Sequence, residues 1–311
     1  MTSVADSRTP GRFAHPALFY SDSAEYLAGT VPFILGGLEA DEPVAVAVPR
    51  PNLELLRAEL GSTAARVQMA DMGEVGRNPG RILAEVLHAT ADAHPRRYVR
   101  IIGEPIWAGR SELEYPACLQ HEALINLAFR DRPATILCPY DAAGLDAAVL
   151  ADAAQTHPEL IEHGAGRASD SYAPELAIAR SNSPLPEPMH AEVFHFDAPR
   201  LSAARHFAEA AAERAGLGDR LDDFVLVIGE LAANSIRHGR GHGTLKVWTD
   251  SGRLAAQVRD TGILRDPLAG RHRPDHSRLS GRGLVMVNHL ADLVRTHTGP
   301  EGTTTQVYLQ L

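Results

Sequence analysis

From residue 15 to residue 166 short apolar runs alternate with longer amphipathic ones. Val44–Val48, Arg66–Ala70, Tyr98–Gly103 and Thr135–Cys138 are short and mostly apolar, as strands buried on both faces are. Between them, residues 24–39, 52–60, 81–93 and 112–129 carry apolar positions at helical spacing. A first short apolar segment lies between His15 and Tyr20. Strands alternating with helices predict a parallel sheet covered by helices on both faces. Ligands of such sheets bind beyond the carboxyl ends of the strands, which here deliver Asp71, Glu104 with Trp107, and Tyr140 with Asp141. His15 and Tyr20 flank the first segment and are placed at the same rim, although hydrogen-bonded strand-end residues would look no different in sequence.

After residue 168 the pattern stops. The stretch SNSPLPEPMH holds three prolines, which remove backbone donors and favour extended chain. Residues 169–190 are therefore expected to be a linker between domains at 13–168 and 191–311, with residues 1–12 disordered. Beyond the linker the pattern predicts a strand at Val193–Phe196 and a helix at Leu201–Ala215 that stops at Gly216. A hairpin follows from Thr244–Thr249 and Leu254–Arg259 around the turn Asp250–Gly252. This is an α/β sandwich with a mixed or antiparallel sheet.

Within that half, LDDFVLVIGELAANSIRHG at residues 221–239 reads as a helix with two faces. Leu221, Phe224, Val225, Ile228, Leu231, Ala232 and Ser235 form the stripe that presses on the sheet. Glu230 lies opposite, and Asn234, four residues on, comes beneath it. A carboxylate beside an amide oxygen suits Mg²⁺ and its waters, and equally suits an ordinary solvated helix face.

Composition narrows the chemistry. A net charge of -9 argues against nucleic acid as the main partner. Cys118 and Cys138, twenty residues apart, form no metal-binding spacing, and no signal peptide or long apolar span is visible, so a cytoplasmic location with reduced thiols is expected. Lys246 is the only lysine, which excludes a GxxxxGK phosphate loop.

Three further stretches follow the Glu230 helix in order: DTG at Asp260–Gly262 at a strand end, GRGLVMVNHLAD opening a helix at Gly281, and GTTTQVYLQL closing the chain as a strand. With the first helix they resemble the GHKL ATPases, whose fold is the Bergerat α/β sandwich, and more narrowly the RsbW-type anti-sigma-factor serine kinases. The resemblance spans residues 191–311. It implies ATP and Mg²⁺ as cofactors, with Glu230 as general base, Asn234 as the Mg²⁺ ligand and His238 in the same box. Asp260 would accept the adenine amine, Gly262 would let the backbone approach the base, and Thr305 would reach the base through water. Gly281, Arg282 and Gly283 would meet phosphate. The intervening lid carries Arg265, Arg271, Arg273 and Arg278 with His272 and His276. The chain departs from the family at Leu264, which stands where the second glycine of Asp-x-Gly-x-Gly is usual.

The stretches HPALFYSD, VPFILGGLEADEPVAVAVP, GEPIWAGR and ALINLAFRDRPATILCPYD resemble the MEDS sensory domain, which implies a RecA-like fold and a small organic ligand. The resulting expectation is an ATP-binding transcription regulator, a serine/threonine kinase of anti-sigma type. Its partners would be a sigma factor and a STAS-type anti-anti-sigma protein, with no nucleic acid or membrane, and a homodimer is left open. The alternatives are a non-catalytic switch in which ATP only orders the lid, and a sensor histidine kinase. For the last, His121-Glu122 with Asn126 resembles a phosphoacceptor box, but it lies on a helix inside the first domain.

Overall fold

The computed structural model describes residues 13–272 and 281–311, so the expected N-terminal tail and the lid residues Arg273, His276 and Arg278 lie outside the described residues. Two compact units divide the chain, Met1–Ser181 and Asn182–Leu311.

The first unit is built on seven strands: β1 (Pro16–Tyr20), β2 (Val44–Val48), β3 (Gln68–Asp71), β4 (Val99–Gly103), β5 (Ala134–Asp141), β6 (Glu159–Glu162) and β7 (Ala165–Ala168). Their order is β3-β2-β4-β5-β1-β6-β7. The first six run parallel, and β7 folds back antiparallel on β6. The sheet is mostly parallel because the chain returns through helices between strands. Every residue of β2 and β4 is buried, as near-continuous apolar runs require.

One face of the sheet presents Leu18, Tyr20, Val46, Ile102 and Leu137 to Phe33 and Ile34 of the helix Ser23–Glu39, and to Leu53 and Leu56 of the helix Arg50–Leu60. Successive strand residues point to opposite faces, so Cys138 and Tyr140 of β5 look the other way from Leu137. That side receives the helix Tyr115–Ala128, whose Glu122 approaches Cys138. The helical run expected at 81–93 begins at Pro79 and contains a π turn at Leu83–Leu87. A further helix, Pro174–Ser181, buries Ala177 against Leu119 and Ala123.

The second unit contains β8 (Glu192–Asp197), β9 (His242–Asp250), β10 (Arg253–Asp260), β11 (Leu293–Gly299) and β12 (Gly302–Gln310). They form one sheet of order β11-β12-β10-β9-β8, antiparallel throughout. Even positions of β10 (Leu254, Ala256, Val258) and odd positions of β12 (Val307, Leu309) face a core shared with Ala204 and Ala208 of the helix Leu201–Ala215. The helix Leu221–His238 adds Phe224, Ile228 and Leu231, and the helix Arg282–Leu290 adds Val287.

The opposite face of this sheet carries a buried polar row. Gln306 Nε2 donates to Gln257 Oε1 at 2.8 Å and to Pro186 O at 2.9 Å, and Tyr308 OH donates to Gln306 Oε1 at 2.8 Å. The segment at 182–190 lies along the sheet here. Asn182 Nδ2 donates to Thr298 O at 2.8 Å and its Oδ1 accepts from Thr298 N at 2.9 Å, while Glu187 pairs with Lys246. The Pro186 carbonyl and the Asn182 amide thus satisfy polar groups on this face that, among the described residues, no helix covers. Among the described residues no helix is long and apolar enough to cross a membrane.

Candidate functional site

In the second unit the Leu221–His238 helix buries Phe224, Val227, Ile228, Gly229, Leu231, Ala232 and Ser235. This is close to the expected stripe, with Val227 and Gly229 added and Leu221 and Val225 only half-buried. Glu230 and Asn234 remain half-buried on the side turned from the sheet. Gly283, in the first turn of the Arg282–Leu290 helix, approaches them so closely that a Cβ there would overlap Glu230 Oε2 and stand 3.8 Å from Asn234 Nδ2. Three residues 53 or fewer positions apart in sequence thus line one wall. A side chain at this position would have to push the Glu230 carboxylate aside.

Asp260 ends β10 and is fixed at both oxygens. Ser235 OH donates to Oδ2 at 2.6 Å, and the Gly262 amide donates to Oδ1 at 2.7 Å. Each bond to a charged acceptor contributes roughly 1.5–3 kcal/mol. A Cβ at Gly262 would overlap the carbonyl oxygen of His238, so the turn after Asp260 packs directly on the end of the helix, while the His238 side chain is exposed. Leu264 keeps a negative φ, and its amide donates to Thr298 Oγ1 at 3.0 Å and Thr303 Oγ1 at 3.3 Å. The backbone at this departure from the family pattern therefore needs no glycine. Thr303 Oγ1 also donates to Gly262 O at 2.8 Å.

Thr305 is buried opposite Val258, with its hydroxyl 3.3 Å from that of Thr296. Gly281 adopts φ +95 at the cap of the Arg282–Leu290 helix, and Arg282 is exposed. Of the described lid residues, Arg265 and His272 are exposed. Arg271 is buried, and that burial pushes its guanidinium down to about 10. The hydroxyls of Ser235 and Thr303 escaped sequence reading. Ser235 falls on the core stripe of its helix, and Thr303 shares its face with Thr305, Val307, Leu309 and Leu311.

In the first unit the expected rim residues His15, Tyr20, Glu104, Trp107 and Tyr140 do not come together at one place. Tyr20 OH donates to Glu104 Oε1 at 2.9 Å, and Asn52 Nδ2 donates to the two carboxylate oxygens at 3.1 and 2.9 Å. Burial pushes the Glu104 carboxyl up to about 8, against the opposing pull of these donors. Asn52, the missing member, opens a helix after a proline and carried no spacing signal. Trp107 stands in the following loop under the Arg110 guanidinium, 4.1 Å from the ring centroid. Alternation places His15 and Tyr140 on the other face of the sheet from Tyr20. There the Tyr140 ring lies edge-on to His157, with centroids 5.5 Å apart, and the His15 ring lies 4.0 Å from His157. His121 is 1% exposed within its helix, a poor position for a phosphoacceptor.

Residues 14–158 match the family model described as MEDS, the methanogen/methylotroph, DcmR sensory domain, and residues 194–309 match the histidine kinase-like ATPase domain. The chain thus joins a MEDS domain to a histidine kinase-like ATPase domain of GHKL type. Among solved structures it is similar to the RsbU and RsbW domains of Rv1364c from Mycobacterium tuberculosis, with 23% identity and a TM-score of 0.28 over 39% of this chain and 32% of that one. It is also similar to the histidine kinase AdeS of Acinetobacter baumannii, with 11% identity and a TM-score of 0.24 over 39% of this chain and 68% of that one. The chain spans about a third of the first of these proteins. No curated protein matches it.

Proposed function

We propose that the C-terminal domain binds ATP with Mg²⁺ and transfers phosphate to a serine or threonine of a partner protein, as an anti-sigma-factor kinase acts on a STAS-type anti-anti-sigma protein. The N-terminal domain would bias that output in response to a small organic ligand. The observation that carries this reading is the convergence of Gly283 on Glu230 and Asn234, beside an Asp260 carboxylate fixed by Ser235 and Gly262. These residues fit the proposed ligands, because close-approaching glycines leave room and backbone amides for phosphate, and a fixed carboxylate offers lone pairs to an exocyclic amine.

In this arrangement Asp260 selects adenine, since guanine presents an oxygen where adenine presents a donor. Thr305 is assigned to the base side, His238 to the rim, and Gly281, Arg282 and Gly283 to the phosphates. Asn234 would hold Mg²⁺, which when bound neutralises charge on the phosphates. Glu230 accepts the proton of the attacking hydroxyl.

The test is phosphotransfer from ATP to candidate STAS-type proteins. Wild type is expected to leave acid-stable phosphate on serine or threonine. Glu230→Gln keeps the side-chain size, binds ATP and partner, and transfers at least about 100-fold more slowly. Undiminished transfer by Glu230→Gln would remove the base assignment, and acid-labile phosphate would point to histidine chemistry instead.

A further inference from the structure

Four side chains of the first unit meet on the sheet face opposite Tyr20 and Glu104. They are His15, immediately before β1; Glu122, in the Tyr115–Ala128 helix; Cys138, in β5; and His157, at the end of the Ala147–Thr156 helix. All four are buried. His15 Nε2 lies 3.4 Å from Glu122 Oε2 and 3.4 Å from Cys138 Sγ, and His157 Nε2 lies 3.2 Å from the same Glu122 oxygen. The four ligand atoms lie within 4.8 Å of one another.

The outer nitrogens of both rings are committed. Asn126 Nδ2 donates to Thr156 O at 2.8 Å, which turns Asn126 Oδ1 toward His15 Nδ1 at 3.2 Å. An amide oxygen only accepts, so His15 Nδ1 carries the proton. His157 Nδ1 lies 2.8 Å from Ala153 O, another pure acceptor, and carries its proton for the same reason. In the neutral rings both Nε2 lone pairs then point inward, at a carboxylate. Both Glu122 oxygens and His157 Nε2 lack a hydrogen-bond partner, although fully buried. Lone pairs facing lone pairs in an apolar interior are costly unless a cation stands between them. Protonating both rings would set two imidazolium ions with centroids 4.0 Å apart, and these would repel each other.

We propose that His15, Glu122, Cys138 and His157 bind one divalent transition-metal ion of the zinc class. A tetrahedral ion with nitrogen and oxygen ligands at about 2.0–2.2 Å and sulfur at about 2.3 Å has ligand–ligand edges of about 3.3–3.6 Å. The three closest separations here fall at or beside that range. The set of two imidazoles, a carboxylate and a thiolate suits zinc or cobalt and is too soft for Mg²⁺ or Ca²⁺. Asn126 and the Ala153 carbonyl are the outer partners that orient ligating histidines. With four protein ligands and no exposure, the site is closed. The ion therefore ties the two central strands β1 and β5 to two covering helices and holds the domain together, and it takes no part in bond-making.

The test uses the full chain, stripped with a chelator and then titrated with Co²⁺ or Zn²⁺. Binding of about one ion per chain is expected. The cobalt form should show intense tetrahedral visible bands with a thiolate charge-transfer band, and zinc should raise the unfolding temperature of the first unit. Cys138→Ser should lose the charge-transfer band and His157→Gln the zinc-dependent shift, while Cys118→Ser, altering the other buried cysteine, should keep both. A folded wild-type chain that takes up neither ion, or whose cobalt spectrum is octahedral and unaffected by Cys138→Ser, would overturn the proposal. The wild-type spectrum decides the matter even if a variant fails to fold.

Discussion

Two carboxylate sites, one in each unit, are built on opposite physical terms. Around Glu104 the first unit hides a carboxylate from water and supplies three neutral donor contacts. Around Asp260 the second unit leaves the carboxylate half-buried and fixes each oxygen with one short bond. Desolvation dominates in the first case and raises the proton affinity of the group. Orientation dominates in the second.

The largest effect expected from this contrast is on stability. Glu104 has a folded-state value of about 8 against an ordinary 4.5, so its contribution is fully present below about pH 4.5 and is lost as pH rises through about 8. Across that window, at about 1.4 kcal/mol for each pH unit, the loss is on the order of 5 kcal/mol. Thermal unfolding of the first unit followed from pH 5 to 8 should fall steadily in wild type and be flatter in Glu104→Gln. Parallel profiles for the two proteins would show that Glu104 is ionised throughout.

On the other side of the comparison, Asp260→Ala should weaken ATP binding by about 1.5–3 kcal/mol, or roughly 10- to 150-fold, measured by calorimetry on a folded variant. Unchanged affinity would remove the adenine assignment. Asn234→Ala is expected to weaken MgATP about tenfold while leaving metal-free ATP nearly unaffected. Equal losses under both conditions would place the amide elsewhere. The smallest effect belongs to Ser235→Ala, which frees one oxygen of Asp260 without removing charge. A loss of about 1 kcal/mol in ATP affinity is expected, and a loss as large as that of Asp260→Ala would mean that Ser235 supports the fold and not the carboxylate alone.

Much of this architecture was legible because periodicity is a local signal. Val44–Val48 was located to the residue, and the Ser23–Glu39, Leu201–Ala215 and Leu221–His238 helices lie within a residue or two of the expected bounds. The strands β6 and β7 were not read, since four residues with little apolar character give no period, and β7 is exposed throughout. β11 was hidden by its polar sequence LVRTHTG.

The sites divide in the same manner. Glu230 and Asn234 are a local pair on one helix turn, and Asp260 with Gly262 is a local turn, so both could be read along the chain. The buried cluster could not. The sequence sets Cys138 only against Cys118, whereas its neighbours are a histidine before the first strand and another after a distant helix. Glu122 and Asn126 resemble part of a phosphoacceptor box in sequence, and their contacts are instead to His15 and Thr156 O. The expectation that His15, Tyr20, Glu104 and Tyr140 share a rim failed on parity. Tyr20 and Tyr140 both lie near strand ends, yet their side chains leave the sheet on opposite faces.

Lys246 pairs with Glu187 on the outer face of β9 and is the only side-chain amine in the chain. Acylating reagents that modify lysines therefore have a single side-chain target, seated under the segment that runs along this sheet at 182–190. While Glu187 holds the ammonium, the approach of a reagent to it is narrowed. The rate at which one acyl group is added to Lys246, read by intact mass, thus becomes a direct gauge of how often this segment lifts from the sheet.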